Sequence, residues 1–337
     1  MKYHFLGSSA LKVSELCFGV MTFGETKAWT HVGAVGVAEA DRHLSIAIEA
    51  GVNFFDTADV YADGQSEEVF AKALGNRRKQ VIIATKVGNK VGDGPNDVGL
   101  SRHRIIQGCE DSLRRLGTDY IDLYQAHCFD PSSPQEETLR AFDDLVRQGK
   151  VRYVGCSNYT GWHLMKALAV SDRLGLERFV SHQARYNLVA RDLEYELVPL
   201  SLDQDVGILV WGPLEGGFLT GKYRRAKELP PGVRLTDLER QLVIDLEKGY
   251  DVVETLVSLG ERLGRTPSQV ALNWLRRKPG VSSIVFGARS ESQLRDNLAA
   301  VDWELSDEDF QTLEDLTRLP KLYPHWFIEY WRSDRKR

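Results

Sequence analysis

The sequence lacks the features that mark several classes of protein. Its cysteines form no CxxC pair, so neither a zinc site nor a disulfide framework is indicated. No apolar run approaches the roughly 20 residues that span a bilayer, and the first residues lack the apolar core of a secretion signal. We therefore expect a cytoplasmic protein. Four single cysteines in apolar surroundings are expected to fill the core: Cys17, Cys109, Cys128 and Cys156.

Charge of one sign is not in large excess either. The 337 residues include 43 lysines and arginines against 48 aspartates and glutamates, which gives a net charge of −5. This mild acidity gives no reason to expect a nucleic acid partner. Because 42% of the residues are hydrophobic, the chain can bury a large core. We expect residues 1–337 to form one domain of barrel size.

Short β-branched or aromatic runs alternate with longer amphipathic runs along the chain. The runs predicted as strands are 16–20, 53–57, 81–86, 121–127, 151–157, 179–186, 208–211 and 283–287. Helical patterns lie between them, and the one over 101–116 has Ser101 in the place of an N-cap. The alternation fits either a closed parallel barrel or an open doubly wound sheet. Eight strands, and no GxGxxG after the first, favour the barrel.

The predicted fold is an α/β (β/α)8 TIM barrel with additions at both ends. Residues 3–15 are predicted to form an N-terminal β-hairpin that turns near residues 7–9. Residues 16–300 are predicted to form the barrel, and residues 301–337 a C-terminal helix and tail. This division assigns every part of the chain to the barrel or to a segment packed against it.

Two long loops and an aromatic tail stand out from the regular pattern. The loops, 22–37 and 214–240, follow the first and seventh strands at the carboxyl-terminal face, where barrel enzymes place their active sites. Large aromatic side chains gain free energy by burial, so we expect the tail to pack on another surface. Its aromatic residues are Tyr323, Trp326, Phe327, Tyr330 and Trp331.

Four polar residues stand at the carboxyl ends of three consecutive predicted strands. Asp56 lies at the end of the second strand with Tyr61 just beyond it, and Lys86 and His127 end the next two. Strand ends lie side by side around one mouth of a barrel, so these side chains can converge. Taken singly, each is explained by an ion pair, a turn cap or core packing. The four together indicate a site.

The chemistry of this set suits the reduction of a carbonyl group. A free tyrosine has a pKa near 10 and is a weak acid at neutral pH. The ammonium of Lys86 is expected to lower the pKa of Tyr61, with Asp56 as the counter-ion of Lys86. His127 is expected to hydrogen-bond the substrate oxygen and orient it. Tyr61 would then act as a general acid, with hydride from a cofactor and no metal.

The motifs around these residues resemble those of the aldo-keto reductases. The matching runs are 54–61, 84–86 and 155–159, and the likeness extends from residue 3 to about residue 319. It is closest to the bacterial branch that also contains the potassium-channel β subunits. The resemblance implies reversible NADPH-dependent reduction of an aldehyde or ketone to an alcohol, with Tyr61 as proton donor. The catalytic tetrad it implies is Asp56, Tyr61, Lys86 and His127.

The resemblance also implies a site for NADPH, with NADH less expected. The positions that match the nicotinamide end are Val20, Met21, Asp56, Ser157, Asn158 and Gln183, with Trp211 stacked on the ring. Those that match the pyrophosphate are Gly212, Leu214, Gly216, Lys222 and Arg234, and those at the adenosine end are Gly287, Arg289, Gln293 and Asn297. The adenosine stretch leads into a helix N-terminus, a natural anion site, where Arg289 is suited to pair with a 2′-phosphate.

Two positions in the seventh loop depart from the family pattern. Many relatives have Ser where this chain has Gly212, so one hydroxyl contact to phosphate would be lost. Glu215 places an acid near the expected pyrophosphate, where it either points away or weakens cofactor binding. The run 216–222 matches the start of a Walker A loop, but Tyr223 follows where Mg²⁺ binding needs Ser or Thr. Nucleotide hydrolysis is therefore not predicted.

The substrate is the least defined part of the prediction. Trp29, His31 and Phe129 are predicted as substrate walls, which favours a bulky or ring-bearing carbonyl compound. Two alternatives stay open. Besides the NADPH-dependent reductase, the chain fits a cofactor-sensing regulatory subunit of the same fold that binds a partner, or an NAD-linked sugar or alcohol dehydrogenase. An oligomer is compatible with the sequence, and nothing in it fixes the number of subunits.

Overall fold

Eight parallel strands close into a barrel, and a short antiparallel hairpin precedes them. The computed structural model describes residues 1–25, 32, 34–225, 228, 235 and 245–332. The hairpin strands are β1 (Tyr3–Phe5) and β2 (Lys12–Ser14). The barrel strands are β3 (Leu16–Gly19), β4 (Phe54–Asp56), β5 (Ile82–Val87), β6 (Ile121–Ala126), β7 (Val151–Ser157), β8 (Ser181–Arg185), β9 (Gly207–Trp211) and β10 (Val281–Phe286). Each pairs with its sequence neighbour, and β10 pairs with β3, so the predicted TIM barrel with its hairpin is confirmed.

Helices lie between the barrel strands and after the last one, as the sequence pattern predicts. They are α1 (Val37–Glu49), α2 (Gln65–Leu74), α3 (Arg102–Leu116), α4 (Gln135–Arg147), α5 (Gly161–Leu174), α6 (Leu197–Gln204), α7 (Leu246–Leu263), α8 (Pro267–Arg276) and α9 (Glu291–Leu298). The predicted N-cap at Ser101 is confirmed, since its side chain accepts a hydrogen bond from the amide of Arg104. The same helix ends at Gly117, whose φ of 59° lies in the left-handed region that favours glycine.

The strand bounds agree with the predicted ones to within two residues. The structure begins β8 at Ser181, whereas the apolar run begins at Phe179, and it begins β10 at Val281 rather than at Ser283. Phe179 is 1% exposed although it precedes the strand. An apolar pattern reports burial, and the strand bounds depend on backbone pairing, so the two need not agree.

The apolar residues form two cores on the two faces of the barrel strands. The inner core is the barrel interior: Cys17, Phe54, Ala84, Leu123, Val180 and Leu209, with Leu6 and Val13 of the hairpin. The outer core lies between strands and helices. The hairpin therefore closes the amino-terminal end of the barrel. Gly7 is required there, because its φ is 54° and a Cβ would lie 2.2 Å from the carbonyl oxygen of Val180.

Strand alternation determines which side chains enter the carboxyl-terminal mouth. Successive side chains of a strand point to opposite faces, so residues two positions apart share a face. Phe54 and Ala84 lie in the inner core, which places Asp56 and Lys86 on the same inward face one layer higher. Leu209 also lies in the inner core, so Trp211, two residues later on β9, points toward the mouth as well. The barrel interior is therefore apolar below and polar at the mouth.

The C-terminal segment does not pack as expected. After α9 the chain forms α10 (Asp307–Leu316) and α11 (His325–Arg332). Trp326, Phe327 and Trp331 are 47%, 44% and 67% exposed, so the expectation that the tail packs on another surface is not met within the described chain. Trp326 and Phe327 pack edge to face on each other, with ring centroids 5.5 Å apart.

The cysteines lie largely in the core, as expected from the sequence. Cys17, Cys109 and Cys156 are buried, Cys128 is partly buried, and all four are free thiols. Among the helices of the described ranges, none has the length and apolar character needed to cross a bilayer.

A buried ion pair at the closed end of the barrel gives a prediction about stability. Glu15 accepts hydrogen bonds from the Arg276 guanidinium at 2.7 Å and from the Lys2 amide at 2.6 Å. The side chains of Glu15 and Arg276 are each 5% exposed. Glu15→Gln removes the negative charge that compensates Arg276 and leaves either Arg276 or the Lys2 amide without an acceptor. The free energy of unfolding, measured by urea denaturation, should therefore fall by about 3 kcal/mol.

The matched control is Glu304→Gln, which breaks the exposed pair that Glu304 forms with Lys2. Both of its side chains are more than half exposed, so little change in stability is expected. Equal losses in the two variants would contradict the role of burial.

Candidate active site

Lys86 lies at the centre of the mouth and contacts three oxygen atoms. Its Nζ is 2.5 Å from Asp56 Oδ1, 2.8 Å from the carbonyl oxygen of Thr57 and 3.2 Å from the Tyr61 hydroxyl. The Lys86 side chain has no solvent exposure. An ammonium carries three donors, and each of them here has an acceptor. The structure thus brings together three of the four residues predicted as catalytic.

The pKa values of Lys86 and Tyr61 are both raised, for different reasons. Burial alone would lower the pKa of Lys86, but Asp56 and Tyr61 raise it above the ordinary value, so Lys86 stays an ammonium. The expectation that the pKa of Tyr61 is lowered is wrong for the protein without bound cofactor. Burial raises the pKa of Tyr61, and the opposing effect of Lys86 is smaller. Tyr61 is therefore a protonated phenol at neutral pH.

Two glutamines hold the second oxygen of Asp56. Gln183 donates from Nε2 to Asp56 Oδ2 at 2.9 Å, and Gln125 reaches the same oxygen at 3.4 Å. Gln125 is not among the site residues predicted from the sequence. Strand alternation would have predicted that Gln125 faces the mouth, because it shares the inward face of β6 with Leu123 and lies two residues before His127.

His127 stands beside the phenol of Tyr61 as a neutral imidazole. The two ring centroids are 5.7 Å apart in an edge-to-face arrangement. Burial and then the charge of Lys86 lower the pKa of His127 to about 3. Its Nδ1 is buried and has no hydrogen-bond partner among the described residues. A neutral ring can donate one hydrogen bond toward the mouth without bringing a second positive charge next to Lys86.

Asn158 connects the ends of three strands on the other side of the mouth. Its Nδ2 donates to the carbonyl oxygen of His127 at 2.9 Å and to Ser157 Oγ at 3.0 Å. Its Oδ1 accepts from Trp211 Nε1 at 3.0 Å. The backbone of Asn158 is left-handed, with φ of 55°, which asparagine tolerates better than most residues. The predicted nicotinamide residues Asn158, Ser157 and Trp211 therefore lie together.

In the loop after β9, the side chain of Glu215 is held by Arg185 and Asn187. Glu215 is 8% exposed, and its carboxylate accepts from Arg185 at 2.6 and 3.0 Å and from Asn187 Nδ2 at 2.5 Å. The charge of Glu215 is therefore compensated within the protein, and its effect on cofactor binding stays a prediction. Gly212 and Gly216 have φ of 63° and 62° in this loop.

The remaining residues predicted for the pyrophosphate are less constrained. Leu214 is partly buried and Lys222 is exposed. No contact joins Lys222 to the tetrad in the described ranges, and Arg234 lies outside the described residues. The Walker-like run does not form a phosphate loop, because residues 215–220 form a short 3-10 segment and Tyr223 is 1% exposed.

The predicted adenosine end is a compact strand-to-helix connection. Asn297 Nδ2 donates to the carbonyl oxygen of Gly287 at 3.2 Å, and the Arg289 amide donates to Gln293 Oε1 at 2.9 Å. Arg289 Nε also donates to the carbonyl oxygen of Val32 at 3.0 Å. Ser290 caps the amino end of α9. The contact with Val32 joins this end to the first long loop, a link that the sequence pattern did not indicate.

The predicted substrate walls are only partly described. Trp29 and His31 lie outside the described residues, whereas Val20 is buried and Met21 is partly buried at the end of β3. Phe129 stacks on the His163 ring with centroids 3.6 Å apart. One face of the Phe129 ring is therefore already covered, and its role as a substrate wall stays a prediction. No group of His, Cys, Asp or Glu within the described ranges is arranged to hold a metal ion.

Comparison with known proteins identifies the family. Residues 15–318 match the aldo/keto reductase family. An uncharacterized oxidoreductase of Bacillus subtilis is 37% identical over 94% of this chain and 96% of that protein. A probable voltage-gated potassium channel subunit beta of Arabidopsis thaliana is 40% identical over 90% of this chain and 92% of that protein. A versiconal hemiacetal acetate reductase of Aspergillus parasiticus is 32% identical over 94% of this chain and 96% of that protein.

The chain belongs to the aldo/keto reductase family, as the sequence motifs imply. Family membership and the reductase and oxidoreductase relatives make it an oxidoreductase and support carbonyl reduction as its reaction.

The environment of His127 gives a prediction about pH. Because burial and Lys86 lower the pKa of His127 to about 3, the ring should remain neutral throughout the range from pH 5 to pH 8. In NMR spectra its ring proton shifts should be flat over that range, with the signal assigned by its loss in His127→Gln. A titration midpoint between pH 5 and pH 8 would contradict the buried, lysine-facing position.

Proposed function

We propose that the chain is an NADPH-dependent carbonyl reductase in which Tyr61 protonates the substrate oxygen. The observation that carries this proposal is the contact of Lys86 with both Tyr61 and Asp56 at the mouth of the barrel. A phenol hydrogen-bonded to a permanent ammonium is a suitable acid for an alkoxide that forms beside it. The reaction is reversible, and its direction follows the ratio of cofactor forms.

The residues present fit a nicotinamide cofactor, which would supply hydride to the carbonyl carbon. Trp211 is held by Asn158 in a position to support an aromatic ring, and Ser157 and Gln183 line the same side. Gly212 leaves room above the loop, since a Cβ there would meet nothing closer than Arg185 at 3.9 Å. The backbone at Gly212 is thus open to the close approach of a phosphate group.

Each member of the tetrad has one task in this proposal. Tyr61 delivers its proton, and Lys86 stabilises the phenolate that remains. Asp56 keeps Lys86 charged and in place. His127, as a neutral imidazole next to Tyr61, donates a hydrogen bond to the carbonyl oxygen and sets its direction. The buried position of Lys86 excludes water from behind the acid, so its electrostatic effect on Tyr61 is strong.

The preference for NADPH rests on Arg289. Its side chain lies at the amino end of α9, where the backbone amides and the helix dipole favour an anion. A guanidinium there pairs well with a 2′-phosphate. The contact of Arg289 with the carbonyl oxygen of Val32 restricts the side chain, which lowers the entropy cost of that pairing.

Removal of the Tyr61 hydroxyl tests the acid directly. Tyr61→Phe should lower kcat by about 100-fold or more, because general acid catalysis typically contributes that much. The dissociation constant of NADPH should change little. Turnover is measured as loss of NADPH absorbance with aromatic aldehydes, sugar aldehydes and cyclic ketones, and binding by fluorescence.

The matched control is Tyr120→Phe, which removes the same atom from a ring that lies against Arg78 at the opposite end of the barrel. Its kcat should equal that of the wild type. A Tyr61→Phe variant that keeps its rate would show that Tyr61 is not the proton donor.

A second variant tests the cofactor preference. Arg289→Ala should weaken NADPH binding about tenfold or more and leave NADH binding nearly unchanged, since only NADPH carries the 2′-phosphate. Arg295→Ala on the same helix, where Arg295 pairs with Glu291 at the surface, is the control and should change neither. Equal loss of both cofactors in Arg289→Ala would instead assign Arg289 to holding the loop at Val32.

A regulatory role is the second candidate function, favoured by the relative named as a probable potassium channel subunit beta. In that case the same site would bind the cofactor to report its redox state. Tight NADPH binding with very slow turnover of every carbonyl tested would favour this role. Rapid turnover of any of them would favour the enzyme.

A further inference from the structure

The turn that carries Tyr61 is strained and needs support from outside itself. Ala62 and Asp63 have φ of 49° and 54°, and Gly64 follows with φ of 89°. Two of these three consecutive left-handed residues carry a Cβ, and such positions persist only where surrounding contacts enforce them. The Tyr61 hydroxyl must nevertheless stay 3.2 Å from Lys86 Nζ. Contacts with neighbouring elements must therefore hold this turn in place.

One support is a buried ion pair two residues before Tyr61. Asp59 and Arg104 form a direct ion pair, and their side chains are 1% and 5% exposed. The Asp59 amide also donates to the carbonyl oxygen of Lys86 at 3.2 Å. Asp59 therefore connects the backbone of the catalytic lysine on β5 to a guanidinium on α3. None of the tasks assigned to the tetrad uses this pair.

A second support lies three residues beyond the turn. Glu67 has no solvent exposure, and it accepts from Arg115 Nε at 2.6 Å and from Thr85 Oγ1 at 2.6 Å. Thr85 directly precedes Lys86 on β5. The two sides of the turn are thus each held by an arginine of α3 and each joined to the strand that bears the catalytic lysine.

The helix is built to deliver both arginines to the same place. Arg104 and Arg115 are 11 residues apart, which is about three helical turns, so they share one face of α3. Two glycines make room for them. A Cβ on Gly108 would lie 2.3 Å from Arg104 Nη1, and a Cβ on Gly64 would lie 2.9 Å from Arg115 Cδ. The absence of a Cβ at Gly108 and Gly64 therefore lets both arginine side chains pack in these positions.

We propose that Arg104 and Arg115 of α3, through Asp59 and Glu67, form a brace that positions Tyr61 against Lys86 for proton transfer. This inference rests on the proposed role of Tyr61 as proton donor. Asp59 is a positioning residue, since its carboxylate pairs with Arg104 and not with Lys86 or the Tyr61 hydroxyl. A displacement of about 1 Å in a catalytic group can cost a factor of about 100 in rate, so a loosened brace should act on kcat.

The brace also makes a prediction about pH. Burial raises the pKa of Asp59 to about 6, with Glu67 adding to the rise and the two arginines opposing it. The titratable and charged groups that face Asp59 are Arg104 and Arg115 on α3, Glu67 on α2, Tyr61 in the turn and Tyr124 on β6. As pH falls through about 6, Asp59 takes up a proton and the ion pair is lost, so kcat should fall. Neither His127 nor Tyr61 titrates in that range.

The experiment is Asp59→Asn in the full chain, with kcat, KM, the NADPH dissociation constant and the melting temperature measured on the same preparation. The expected result is a loss of kcat of about tenfold or more, with KM and the dissociation constant within about twofold of wild type. The step in the kcat profile near pH 6 should also disappear. Arg104→Lys keeps the charge with a shorter reach, so it should show a smaller loss of kcat.

Glu15→Gln is the matched control for stability. It breaks another buried ion pair, with Arg276, but at the closed end of the barrel. It should lower the melting temperature without lowering kcat. If Asp59→Asn fails to fold, Arg104→Lys carries the same test with kcat and the pH profile as readouts.

The outcomes separate the brace from the proposal on which it rests. Unchanged kcat in Asp59→Asn, with a melting temperature lowered as in Glu15→Gln, would reduce the pair to a structural role and overturn the brace alone. A rise in the NADPH dissociation constant without a loss of kcat would also overturn it. If Tyr61→Phe keeps full activity, the proton-donor proposal itself fails, whatever Asp59→Asn does.

Discussion

The buried ammonium of Lys86 is the interaction on which the rest of the site depends. A charge without solvent contact is costly unless it is paired and its donors are satisfied. Asp56, the Thr57 carbonyl oxygen and the Tyr61 hydroxyl satisfy those donors. Asp56 is fixed in turn by Gln183 from across the barrel. The site is thus one connected network, in which Asp56 compensates the charge of Lys86 and neutral partners satisfy the other hydrogen bonds.

The barrel makes this network possible by separating an apolar interior from a polar mouth. Parallel strands in register bring side chains of one parity into common layers, and the hairpin seals the apolar end with Leu6 and Val13. Lys86 is therefore buried in the inward-facing layer of β5. The same geometry gives Asn158 access to both His127 and Trp211, so that the polar layer continues around the mouth.

Buried carboxylates paired with arginines hold two of the loops on this face. Glu215 would be unfavourable next to a phosphate group, yet it is buried against Arg185 and Asn187 and supports the loop after β9. Asp59 and Glu67 serve the Tyr61 turn in the same way through α3. Ion pairs of this kind fix geometry more than they add stability, because desolvation offsets most of the Coulomb attraction.

The sequence by itself determined the eight-strand alternation, the hairpin, the cap at Ser101, the family and the polar residues at the strand ends. These follow from local periodicity and from motifs that are contiguous in the chain. Tertiary structure alone decided the rest. The raised pKa of Tyr61, the contact of Gln125 with Asp56, the inward turn of Glu215 and the exposure of the tail depend on burial and on partners far away in sequence. These environments form only when the barrel closes and brings distant parts of the chain together, so a local sequence pattern cannot predict them.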